Sequence, residues 1–226
     1  MKTLKILLFL LCFFSIACPK KIPQVIVPVE YNPQQLVKEF KEKCPPPKWF
    51  DTISAKPFSS VKELHAYWVS KQRNPKLFFK RCYLSVLQFP ENKELVVLAF
   101  QLMDYNNWDY PHLENLYVIA LKYFYNYQKQ GSGGSADYTG SLILDYSRLL
   151  LKKKKYQKCV HLIQQFKAKR FSQTNPHLKQ LIDMNLANAY TKMGKKTMAR
   201  QTLEQALQYG GGWNQQIKQE LKLLGG

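Results

Sequence analysis

Apolar residues recur along most of this 226-residue chain at the three- and four-residue spacing of a helix face. No stretch sustains the two-residue alternation of a half-buried strand. Leu36, Val37 and Phe40 follow Asn32-Pro33, and Pro45-Pro46-Pro47 closes that segment. Leu64, Tyr67 and Trp68 follow Ser60-Val61-Lys62-Glu63, a capping box. Asn74-Pro75 opens a segment from Leu77 to about Phe89, Pro90-Glu91 opens another to Met103, and Pro111 precedes Leu116, Ala120, Tyr123 and Tyr127. Asn or Ser before the first turn, with Pro at its first position, is helix-start chemistry. Gln130 to Gly140, with glycines at 131, 133, 134 and 140, reads as a loop and a hinge. The pattern predicts an all-α fold, with 60–73 paired to 75–89 and 90–104 to 111–128.

The last third carries a more particular pattern. Ile182 to Leu207 reads IDMNLANAYTKMGKKTMARQTLEQAL. It resembles the tetratricopeptide repeat, a helix–turn–helix unit of about 34 residues. From a start at Gln180, Leu186, Ala187 and Tyr190 take the packing positions of the first helix. Gly194 takes the turn, and Ala199, Leu203, Ala206 and Leu207 take the packing positions of the second helix. The family's early Trp is replaced by Asp183 and its closing Pro by Gly211. Gly140 to Phe166 repeats the pattern at an offset of 40, with Tyr146, Leu150, Cys159, Ile163 and Phe166 in equivalent places. Lys167 to Pro176 absorbs the surplus length.

The resemblance implies a helix-turn-helix repeat array, a TPR-like α-solenoid of roughly four helix pairs. Degenerate pairs would fill 32–130 and TPR-like repeats 140–226, with Trp213 to Leu224 as the cap. It implies a protein–protein interaction scaffold or adaptor rather than a catalyst. In such arrays the first helix of each pair lines the concave groove. That places Arg148 and Lys152 in the upstream unit, and Asn188 and Lys192 in the downstream one, as partner-binding residues, with Asn185 one turn before Asn188. Paired amides and cations on one helix face hold a carboxylate or phosphate by charge-assisted hydrogen bonds.

The N-terminus reads as a targeting signal over 1–17. Two lysines lie within Met1–Lys5, an apolar run follows from Ile6 to Phe14, and the stretch ends Ser15-Ile16-Ala17-Cys18. The 12 residues from Ile6 to Ala17 suit an uncleaved anchor poorly, because a spanning helix needs about 17–25. Ser15 and Ala17 suit an ordinary signal peptidase cutting before Cys18, which would release a secreted protein. The same stretch resembles a bacterial lipobox, from which Ser15 departs where Leu is preferred. The lipobox implies acylation of Cys18 and a lipid-anchored protein on the periplasmic or outer surface of the cell envelope. Residues 18–31 hold Pro23 and Pro28 and no helical period, so they read as an extended tether.

Composition adds an electrostatic demand. Lys and Arg number 34 against 15 Asp and Glu, a net charge of +19, and 46% of residues are apolar, which excludes a disordered chain. Residues 148–226 carry 16 cations against only Asp183, Glu204 and Glu220, a balance of +13. Clusters fall at Lys152–Lys155, at Lys167, Lys169 and Arg170, and at Lys195-Lys196. An acidic segment of a partner protein fits this balance. The alternative is surface binding of anionic envelope polymers or lipid head groups, and export makes nucleic acid an unexpected partner.

Chemistry is sparse. His65, His112, His161 and His177 are scattered, with no zinc spacing, nucleophile elbow or phosphate-binding glycine loop. No catalytic residue, metal or cofactor is expected. Cys44, Cys82 and Cys159 allow at most one disulfide and read as buried apolar residues. The aromatic run from Tyr117 to Tyr127 has helical spacing, so it reads as core.

Overall fold

The computed structural model describes residues 25–70, 74–103, 109–127 and 138–225. Over these every regular element is a helix, with no strand. The helices are α1 (Pro33–Lys43), α2 (Val61–Val69), α3 (Pro75–Gln88), α4 (Lys93–Leu102), α5 (Leu113–Phe124), α6 (Tyr138–Lys152), α7 (Tyr156–Lys169), α8 (Pro176–Lys192), α9 (Lys196–Leu207) and α10 (Asn214–Gly225). The expected signal segment 1–17, Cys18 and the expected tether as far as residue 24 lie outside the described residues, as does 128–137, which holds most of the expected hinge. Gly140, expected in that loop, is inside α6.

Helix starts follow side-chain capping. Asn32, Asn74 and Asn175 each accept a hydrogen bond from the backbone amide three residues on, at 2.9, 3.1 and 2.9 Å, with Pro at the first helical position. Ser60 accepts from the Glu63 amide at 3.2 Å. The Glu63 carboxylate reaches back one residue further than a capping box requires, to the Ser59 amide at 2.8 Å.

Two expected starts are displaced. α4 begins at Lys93 rather than Pro90, because Asn92 caps the Leu95 amide at 3.2 Å and Pro90 keeps its carbonyl for the Tyr31 hydroxyl. α5 begins at Leu113, two residues after Pro111, with His112 at its cap.

Buried apolar side chains form one continuous cluster from Ile26 to Ile217. Tyr117, Tyr123 and Phe124 belong to it, and Tyr117 stacks on Tyr146 with ring centroids 5.4 Å apart, joining α5 to α6. Upstream, α3 associates most closely with α4, α2 packs on α4, and α1 reaches across the sequence to α5. Downstream the order is regular: α6 packs on α7 and on α8, α7 on α8, α8 on α9, and α9 on α10.

The offset of forty is visible in the turns. Lys154 and Gly194 both have positive φ, 57° and 74°. The amide of Lys155 donates to the carbonyl of Leu150 at 2.8 Å, and that of Lys195 to Tyr190 at 2.9 Å, so one C-terminal helix motif occurs twice. Tyr146, Leu150, Cys159, Ile163 and Phe166 are fully buried, and so are Ala199 and Ala206.

The expected tether 18–31 is described from residue 25. Residues 25–31 are extended but docked on the body as a strap. Ile26 is 2% exposed, and the Gln165 side chain on α7 accepts the amides of Val25 and Ile26 at 2.9 and 3.0 Å and returns a bond to the Ile26 carbonyl. The Val29 amide donates to the Lys122 carbonyl on α5 at 2.9 Å. An amide fork that satisfies both polar groups of a buried peptide unit lets an extended segment join a helical core without a strand partner.

Candidate functional site

The best-formed cleft that holds expected partner-binding residues lies where α8, α9 and α10 meet. Ala187, Asn188, Thr191 and Lys192 contribute from α8, Leu203 from α9, and Glu220, Leu223 and Leu224 from α10. α10 is placed by its root. Gln180, fully buried on α8, donates to the Ala206 carbonyl at 3.2 Å and to Asn214 Oδ1 at 2.7 Å, and accepts the Trp213 amide at 3.0 Å. A Cβ at Gly211 would lie 2.3 Å from Gln180 Oε1, so a glycine at this position permits the approach.

The cleft holds about 190 Å³. Small-molecule sites run from about 300 to 1,000 Å³, so this volume is nearer the size of one or two side chains than of a whole small-molecule ligand. Its floor is apolar and its rim mixed: an exposed amide at Asn188, a hydroxyl at Thr191, a cation at Lys192 and a carboxyl at Glu220. Burial raises the Glu220 carboxyl above its ordinary value, against the opposing hydrogen bond from Gln216. Leu223 stands 82% exposed beside it, the most exposed large apolar side chain among the described residues.

The structure divides the five expected groove residues. Asn188 and Lys192 share the cleft. Asn185 is instead an interhelical bond: its amide donates to Ser147 Oγ at 2.7 Å and to the Leu144 carbonyl at 3.4 Å, both on α6. Those two partners straddle position 145, forty residues before Asn185. Arg148 is exposed on α6 and pairs with Asp145 at 3.2 Å, and Lys152 is exposed at the end of α6; neither lines the cleft.

Glu220 and Leu223 escaped the pattern reading. A signal for Glu220 was present, since it is one of only three acids after residue 148. The other two are spent on local cations. Glu204 pairs with Arg200 at 3.1 Å, and Asp183, fully buried, takes Lys167 at 2.8 Å and the Tyr209 hydroxyl at 2.9 Å. Burial raises the Asp183 carboxyl despite Lys167 and Tyr209.

The lysine cluster at 152–155 is partly neutralised. Glu114 on α5 accepts Lys155 and Lys158, each at 2.7 Å, and Lys153 stands 3.9 Å away. Burial works against the Glu114 charge, and the hydrogen bonds from Lys155 and Lys158 outweigh it, holding the carboxyl at about 2. These cations join α5 to α7 and are only partly available to a polyanion.

Cys44, Cys82 and Cys159 are free, buried thiols. Burial pushes the Cys44 and Cys159 thiols up to about 12. No group of three or more His, Cys, Asp or Glu converges on a metal-sized site among the described residues. No described helix is long and apolar enough to cross a membrane. The chain matches no family model, no curated protein and no solved structure.

Proposed function

We propose that this protein is a lipid-anchored cell-envelope adaptor, built on TPR-like helical repeats, that holds a segment of a partner protein in the α8–α9–α10 cleft. The observation that carries the reading is the duplication at an offset of forty. The turns at Lys154 and Gly194 share one hydrogen-bond pattern, and Asn185 bonds the residues around its own counterpart on α6. Stacked helix pairs of this kind form extended binding surfaces without supplying reactive groups. The cleft adds the recognition chemistry: a small apolar floor, an amide and a cation for an acidic side chain, and an exposed leucine for an apolar one. The protein acts by holding rather than by catalysing.

The test uses a photo-crosslinking residue in place of Asn188 or Thr191 in the cleft, and of exposed Lys62 on α2 as control. The expected result is a discrete adduct from the cleft positions, weakened about tenfold by Lys192→Glu, with none from Lys62. An adduct pattern shared by all three positions defeats the cleft. Intact mass and detergent partitioning, beside Cys18→Ala, test the anchor separately.

A further inference from the structure

The docked strap determines how the molecule can sit on a membrane. Cys18 lies seven residues before Val25, where the strap joins the body. At about 3.3–3.6 Å per residue, the strap's start can be no more than about 25 Å from an acyl group on that cysteine. On the anchored reading, the start of the strap is therefore held within about 25 Å of the lipid, and the face around it is the first candidate for contact.

That face has the side chains for it. Ile26 turns into the core while Val27 and Val29 turn outward, 61% and 37% exposed, two of the five exposed large apolar side chains among the described residues. Lys169 is exposed one helical turn beyond Gln165, on the same side of α7 that grips Val25 and Ile26. Arg170 reaches Asn126 at 3.4 Å, and Asn126 lines a shallow hollow with Pro28, Val29 and Tyr31. Lys169 and Arg170 form no ion pair among the described residues. The nearest acid on the strap is Glu30, which is exposed.

We propose that Val27, Val29, Lys169 and Arg170 form a membrane-contact face that rests on anionic phospholipid. The valines enter the headgroup boundary, and the two cations meet lipid phosphates. The acyl chains hold the protein at the bilayer, and each Lys or Arg close to an anionic surface adds about 1 kcal/mol of attraction, which favours the orientation that brings this face to the lipid. This rests on the anchored reading above. Leu223 shares the cleft with Lys192, at the end of α8 farther along the chain from the Lys169–Arg170 turn, and so serves as the control position.

The experiment places single cysteines at Val27→Cys, Val29→Cys, Lys169→Cys and Leu223→Cys in the full native chain. The resident thiols at 44, 82 and 159 are buried and escape labelling. Each site carries an environment-sensitive fluorophore, and the protein is reconstituted through its own anchor into phosphatidylglycerol–phosphatidylethanolamine vesicles. The expected result is a several-fold rise in emission at 27, 29 and 169 and none at 223. In the unlipidated Cys18→Ala chain, affinity for the same vesicles falls about fivefold for each cation removed in Lys169→Ala and Arg170→Ala. Membrane-associated protein with no rise at 27 or 29, or with a rise at 223, overturns the face while the anchor stands. An unmodified Cys18 with no vesicle association overturns the anchor and this proposal together.

Discussion

Lys154 occupies the left-handed conformation that Gly194 occupies forty residues later. A side chain there strains the backbone by about 1–2 kcal/mol, whereas glycine does not suffer this clash. A Cβ at Gly194 would meet nothing within 4 Å, so the cost of adding one is backbone alone. Gly194→Ala is expected to lower unfolding stability by about 1 kcal/mol, and Lys154→Gly to raise it by up to about 1 kcal/mol. Urea midpoints decide both, and an unmoved midpoint for Gly194→Ala would show the turn to be unstrained. Asp183 makes a related point. It stands where the repeat resemblance wants a large aromatic, and it fills that place as an ion pair with Lys167, backed by Tyr209. Removing Lys167 alone would leave a buried carboxyl without its cation, so this position tolerates change only in pairs.

At the scale of elements, what was legible depended on how local the determining contact is. α1, α2 and α3 could be read from Asn32, Ser60 and Asn74 because a cap and its target amide are three residues apart. α4 was misplaced because Pro90 looked like a helix start, while the residue that caps is Asn92 and the Pro90 carbonyl is taken by Tyr31, 59 residues away. Two of the eight cleft residues, Asn188 and Lys192, were readable for the same reason. Asn188 and Lys192 share a face of one helix, which spacing reveals. Asn185 lies on that helix too, but its partner is Ser147 on another, and Glu220 arrives only through the root of α10. The strap's extended form followed from its prolines, whereas its docking depends on Gln165. Gln165→Ala is expected to leave two amides without acceptors and cost about 1–3 kcal/mol. Hydrogen exchange at Val25 and Ile26 should quicken well before that at α8, and equal protection in wild type and variant would show that the fork does not hold the strap.

Across the whole molecule, few carboxylates stand among many cations, so each acid has a large share of the electrostatics. Glu114 holds three lysines near α5 and α7 and keeps its carboxyl at about 2, below the ordinary 4.5. Its contribution to stability is therefore complete above about pH 4.5 and disappears as the pH falls toward 2, where the fold must take up the proton that the unfolded chain already carries. Glu114→Gln should cost about 1–2 kcal/mol at pH 7, between the values for exposed and buried pairs, and should flatten stability between pH 4.5 and 2. Acid titration of unfolding midpoints checks this, and a parallel decline in variant and wild type would remove Glu114 from the account. The Gln165 fork has a consequence in time as well. The strap closes a loop of 139 residues, while α8 and α9 meet across a turn of a few. Because long closures follow short ones, the first described residues of the chain are expected to be among the last to gain protection in pulse-labelled refolding. Until α7 is in place Val25 and Ile26 lack the Gln165 side chain that holds them, so on the anchored reading proposed above the chain beside Cys18 would be open to processing before the fold claims its neighbours.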